Sequence, residues 1–88
     1  SAIGMHLLNK TYTENFNLYY WNENSNEVDF VIEKGDKIIG IEVKSGKDST
    51  NNGMAIFESK FHPTALYTVG TNGIPIEDFL RSNPSNLF

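Results

Sequence analysis

The stretch EVDFVIEKGDKIIGIEVKSG, Glu27 to Gly46, decides the fold. It reads as two β-strands, Glu27 to about Lys34 and Lys37 to Val43, joined at Gly35-Asp36. Gly in the first position of a two-residue connection suits a type II′ turn. Taken literally, this turn sets Lys34 against Lys37 and fixes every pair beyond it. Val28 then meets Val43, Phe30 meets Ile41 and Ile32 meets Ile39, which makes one wholly apolar face. The other face pairs Val31 with Gly40, Asp29 with Glu42 and Glu27 with Lys44.

Like charges standing opposite on a sheet destabilise the pairing. A bound cation would relieve Asp29 and Glu42, as would a proton kept on one acid. Gly40, beside Glu42 on the expected charged face, is expected to leave room next to the pair. Two carboxylates with open space suit Mg²⁺, which takes oxygen ligands and keeps several waters. Lys44 shares the face and could hold an attacking water or steady charge on a phosphate. The plainer reading stays open: a solvated charged face with Glu27 and Lys44 as an ordinary cross-strand ion pair.

Outward from this hairpin, Ile3, Leu7 and Leu8 give Ala2 to about Lys10 a helical spacing. NLYYWN (Asn17 to Asn22) is aromatic and β-prone, and ENSN is a polar turn. Tyr19 to Trp21 read as amphipathic aromatics of a core strand rather than as base-stacking platforms. SGKDSTNNG (Ser45 to Gly53) is a loop with several candidate N-caps. A helix follows with Met54, Phe57 and Phe61 on a core stripe, closed by Pro63. ALYTVG (Ala65 to Gly70) is a fourth strand. Pro75 opens a short helix with Ile76, Phe79 and Leu80 inward, and RSNPSNLF is a tail. The order is α-β-β-β-α-β-α, an α/β fold in one domain over residues 1–88.

Eighty-eight residues allow one modest core. Without cysteine, disulfides and thiolate metal sites are excluded. No apolar run approaches the roughly 20 residues a bilayer crossing needs, so no membrane role and a cytoplasmic location are expected. The net charge of −4 argues against tight autonomous DNA binding, which usually needs a basic face. SGKDST lacks the spacing of a phosphate loop. His6 and His62 have no neighbour at ligand spacing and read as exposed or cap residues.

EVDFVI followed by IEVKSG resembles the PD-(D/E)XK nuclease superfamily, with Asp29 as the D and Glu42-Val43-Lys44 as the (D/E)XK. More narrowly, AIGMHLLN, LYYW, EVDFVI, IEVKSG, the helix start at Gly53-Met54 and GIPIEDFL resemble, in that order, a nuclease-like C-terminal domain of unknown function. That domain is found on predicted prokaryotic AAA-family ATPases. The resemblance implies a three-layer α-β-α, restriction-endonuclease-like fold around a mixed four-stranded sheet. It implies metal ligands at Asp29 and Glu42, a catalytic lysine at Lys44, a supporting Ser45 and Mg²⁺ (or Mn²⁺) as cofactor. DNA is the implied partner, together with an ATPase domain N-terminal in the same longer chain. Many nucleases of the superfamily carry a further acid on the first helix. Here that helix has none, and Glu14 comes late for the part. An inert module that binds nucleic acid or protein is the alternative.

Overall fold

A computed structural model describes residues 1–46 and 52–88. Helix α1 (Ala2–Glu14) leads into strands β1 (Asn17–Glu23), β2 (Asn26–Lys34) and β3 (Lys37–Lys44). Helix α2 (Gly53–Phe61), strand β4 (Ala65–Gly70), helix α3 (Ile76–Arg81) and a 3₁₀ helix (Pro84–Leu87) complete the chain. The expected α/β order is present, in a mixed four-stranded sheet ordered β1-β2-β3-β4. The loop expected from Ser45 to Gly53 lies partly outside the described residues, at 47–51.

Two tight turns set the antiparallel part. Gly35 has a φ of 62° and Asp36 does not share a positive φ, the pattern of a type II′ turn. Asn24 (51°) and Ser25 (67°) both lie in the left-handed region, as a type I′ hairpin requires. Strand β4 instead runs parallel to β3, which demands a crossover, and α2 supplies it. β4 ends at Gly70, with φ 108°; a Cβ there would lie 2.0 Å from the Lys44 carbonyl oxygen. Only glycine lets the two strand ends approach so closely.

The sheet is buried on both faces. On one side Ile32, Ile39, Ile41 and Phe30 pack with Ile3 and Leu7 of α1 and Phe79 of α3. On the other, Val28 and Val31 pack with Phe57 of α2, bordered by Trp21, Ile38, Met54 and Leu66. Val28 was expected to share a face with Phe30 and Ile32; it lies on the α2 side. The reason is a bulge. Tyr19 pairs with Val31 but Trp21 pairs with Val28, so Asp29 and Phe30 together oppose Tyr20. The extra residue reverses the alternation of β2 beyond that point.

Other expectations shift for simpler reasons. α1 runs on past Lys10 to Glu14, and the tail contains a helical turn. Ile76 is 39% exposed and Phe61 45%, because α3 and α2 are short and end at the rim of their clusters. His6 is half-buried: its Nε2 donates to the Ser82 carbonyl (3.1 Å) and its ring meets the edge of Phe79. His62 caps α2 in the left-handed conformation.

Gly40 does not leave open space. A Cβ there would lie 2.8 Å from Leu66 Cδ2 and 3.3 Å from Phe57 Cε2, so α2 and β4 occupy the volume. Gly40→Val overpacks this contact and is expected to cost about 1–3 kcal/mol in denaturant unfolding.

The C-terminal turn is tied to α1. The Ser85 N–H (3.0 Å) and hydroxyl (2.7 Å) donate to Glu14 Oε1, and Lys10 lies 3.4 Å from Glu14 Oε2. Burial alone would raise the Glu14 carboxyl, but the Ser85 and Lys10 hydrogen bonds and the lysine's charge outweigh it. They hold the group below its ordinary value of 4.5. A carboxyl depressed by folding contributes stability that is complete above its unfolded value and is lost as pH falls through the lower folded value. Thermal unfolding should therefore show stability falling below about pH 4.5. Glu14→Gln should flatten that dependence, and Glu14→Ala should lose about 1–2 kcal/mol at pH 7.

Candidate functional site

Asp29, Glu42 and Lys44 sit where β2 and β3 part. The two strands pair from Lys34↔Lys37 to Phe30↔Ile41, and the ladder stops there. The expected direct pairs Val28–Val43, Asp29–Glu42 and Glu27–Lys44 are not formed. The bulge at Asp29-Phe30 bends β2 away just as these pairs would begin.

The Asp29 side chain reaches across the opening instead. Its Oδ2 accepts a 2.7 Å hydrogen bond from the Val43 N–H. That amide lies between Glu42 and Lys44 in the chain, so the structure brings the aspartate to the Glu-Val-Lys segment. Among the described residues, Oδ1 makes no hydrogen bond to protein.

Alternation along β3 separates the acids further. Ile39, Ile41 and Val43 serve the α1-side cluster, whereas Gly40 faces Phe57 and Leu66 on the α2 side. By the same parity Glu42 and Lys44 are directed toward the α2 side. Both are half-buried. Asp29 lines a depression of about 290 Å³ with Ser1, Tyr20, Phe30 and Val43. Lys44 lines another, of about 440 Å³, with Ser45, Gly46, Gly70, Thr71 and the start of α3. Glu42 lines neither. Val43 lines the first and not the second.

Asp29 and Glu42 are donors of the kind a hard cation takes, with one aspartate oxygen unspent, but Asp29 opens on the α1 side of the sheet and Glu42 is directed toward the α2 side. They are few. Among the described residues no three His, Cys, Asp or Glu side chains converge on one point. Glu14 is too distant in role, since its carboxylate is engaged by Ser85 at the far end of α1.

Two residues of the aspartate's depression were not placed beside it from sequence. Ser1 caps α1 through its hydroxyl, which accepts from the Gly4 N–H (3.1 Å). Tyr20 is 71% exposed and leans on Phe30, ring centroids 5.7 Å apart. The core role expected for Tyr19 to Trp21 holds for the half-buried Trp21, which meets Phe57 and Phe61 edge-on. It fails for Tyr19, 48% exposed, and for Tyr20. The signal for Tyr20 was in the turn: counted back from Asn24-Ser25, it falls opposite Asp29.

The model of a domain of unknown function, DUF4143, matches residues 1–83. The chain belongs to this family. Nothing among curated proteins or solved structures matches it. The DUF4143 match covers every element except the 3₁₀ helix and takes in Asp29, Glu42 and Lys44. No helix of the described residues is long and apolar enough to cross a membrane.

The Asp29–Val43 bond is testable in itself. Asp29→Ala should cost about 1–2 kcal/mol and expose the Val43 amide to rapid hydrogen exchange. Asp29→Asn keeps an acceptor oxygen and should preserve both.

Proposed function

We infer that this DUF4143 domain is a nuclease-like module with a metal-assisted phosphodiester hydrolysis site at Asp29, Glu42 and Lys44. The observation that carries the reading is the Asp29–Val43 hydrogen bond, which holds the aspartate against the segment bearing Glu42 and Lys44. Asp29 and Glu42 would be the residues that hold Mg²⁺ or Mn²⁺. Such an ion supplies positive charge that polarises a phosphodiester. The Val43 amide orients Asp29 by fixing one of its oxygens. Lys44 binds phosphate oxygens and stabilises the charge that builds on them. The resemblance to PD-(D/E)XK nucleases supports these roles. It also supports a cytoplasmic setting, DNA as substrate and an ATPase domain as the covalent partner.

A second reading is an inert module of the same fold that binds nucleic acid or protein for its ATPase. The net charge of −4 favours its protein-binding form, because the chain offers few cations to hold a nucleic-acid backbone.

Paramagnetic broadening by Mn²⁺ and cleavage of labelled DNA together decide. The site predicts broadening centred on Asp29 and Val43 that Asp29→Asn and Glu42→Gln each abolish. It predicts metal-dependent cleavage that falls by roughly 10²–10³ in Lys44→Ala. Broadening lost in both variants without any cleavage selects the inert module. Broadening that neither variant disturbs would rule out the site.

A further inference from the structure

Strand β1 is the outer strand of the sheet, and among the described residues it pairs with β2 alone. An outer strand presents a row of unpaired N–H and C=O groups. Natural edges are usually blunted by proline, lysine or a bulge in the edge strand itself. Asn17–Glu23, NLYYWNE, has no proline and no lysine, and the bulged residues lie on β2. The edge is open, and it is apolar: Tyr19, Tyr20 and Phe61 are all exposed beside it.

The hairpin fixes which residues face outward. The Asn24-Ser25 turn makes Glu23↔Asn26 the closing pair, and the closing pair of a two-residue hairpin is of the hydrogen-bonded kind. Alternate residues of β1 then point their backbone groups away from β2. These are Asn22, Tyr20 and Leu18.

We propose that β1 pairs antiparallel with β1 of a second copy of this chain about a two-fold axis through Tyr20. The register is the argument. An axis through Tyr20 sets Tyr20 against Tyr20, Leu18 against Asn22 and Asn17 against Glu23. All three outward-facing residues therefore meet outward-facing residues, each pair exchanging two N–H···O bonds. On the α2 side Tyr19 meets Trp21 twice, a favourable aromatic cross-strand pairing. No like charges stand opposite: the one charged residue of β1, Glu23, meets an amide. Shifting the axis to Trp21 would place Tyr19 against Glu23 and Leu18 against Asn24 of the turn, so that one outward-facing residue loses its strand partner. The pairing is isologous, the commonest way for identical chains to associate. It joins two four-stranded sheets into one continuous sheet. Tyr20 also lines the Asp29 depression, so the axis sets the two depressions side by side. The proposal stands whether or not those depressions hydrolyse anything.

Sedimentation equilibrium across about 10 μM to 1 mM, the scale of transient association, tests it. The expected result is a concentration-dependent shift from 9.9 kDa to twice that mass. Amide exchange at Leu18, Tyr20 and Asn22 should slow as concentration rises, while Tyr19 and Trp21 are already protected. Tyr20→Pro removes an outward N–H that β2 does not use, and Tyr20→Lys sets two cations face to face. Each variant that stays folded by circular dichroism should sediment at 9.9 kDa throughout. A wild-type chain that remains monomeric at the highest concentration overturns the proposal. So does a dimer that survives in either folded variant, since its contact would lie elsewhere. If the proline variant does not fold, the lysine variant decides.

Discussion

The hydrogen bond from the Val43 amide to Asp29 is the contact on which the sheet turns. β2 and β3 stop pairing at Phe30 and Ile41, and a strand that leaves its partner exposes amides that need acceptors. Asp29 supplies one from its side chain at 2.7 Å. A charged acceptor is stronger than a carbonyl in this role. It closes the opening between the strands without continuing the ladder. The bulge that frees Asp29 to do this also reverses the alternation of β2. Val28 thereby joins Val31 beneath α2, while Phe30 and Ile32 remain beneath α1. One irregular step thus lets a nine-residue strand serve two cores.

The two faces are not equivalent. The α1 side collects helices α1 and α3, the C-terminal turn and most of the buried residues. Among the described residues the α2 side has one helix, whose Phe57 covers Val28 and Val31. Gly40 reconciles them: a larger residue there would collide with the Leu66 side chain and crowd the Phe57 ring of α2. The thinner layer leaves Phe61 and the aromatic strand partly uncovered, and the open edge of β1 lies on its margin. Small domains bury a lower fraction of their surface than large ones, so an uncovered aromatic rim is where an 88-residue chain would spend its shortfall.

Much of the fold was legible because the signals were local. Gly35-Asp36 announced its turn type, and the register it set holds for five consecutive pairs. Pro63 and Pro75 marked helix boundaries within a residue or two. The bulge was not legible from that turn alone. Phe30-Val31-Ile32 is apolar on both faces, so alternation could not say which face Val28 would join. The second turn, at Asn24-Ser25, places Val28 opposite Trp21; beyond it Tyr19 pairs with Val31, one residue out of that register, and the bulge takes up the difference. The exposure of Tyr20, Phe61 and Ile76 depends on helix length and the edge of the sheet, neither of which residue type encodes.

The same bulge alters what the motif means. From sequence, Asp29 opposite Glu42 looked like an electrostatic fault that a cation would mend. With the bulge, Asp29 has a structural task of its own, and the repulsion that called for a cation is no longer forced by the register. An aspartate at this position is thus accounted for by backbone satisfaction alone. Glu42 is different. It is half-buried in the middle of a strand, lines neither depression beside Val43, and has no hydrogen bond or ion pair among the described residues. Holding a carboxylate partly out of water without a partner is unfavourable. The Asp29–Val43 bond holds the aspartate at this end of the sheet, and Glu42 is the acid there whose place a cation would account for. The effect of Glu42→Gln on Mn²⁺ binding weighs more than that of any change at the aspartate.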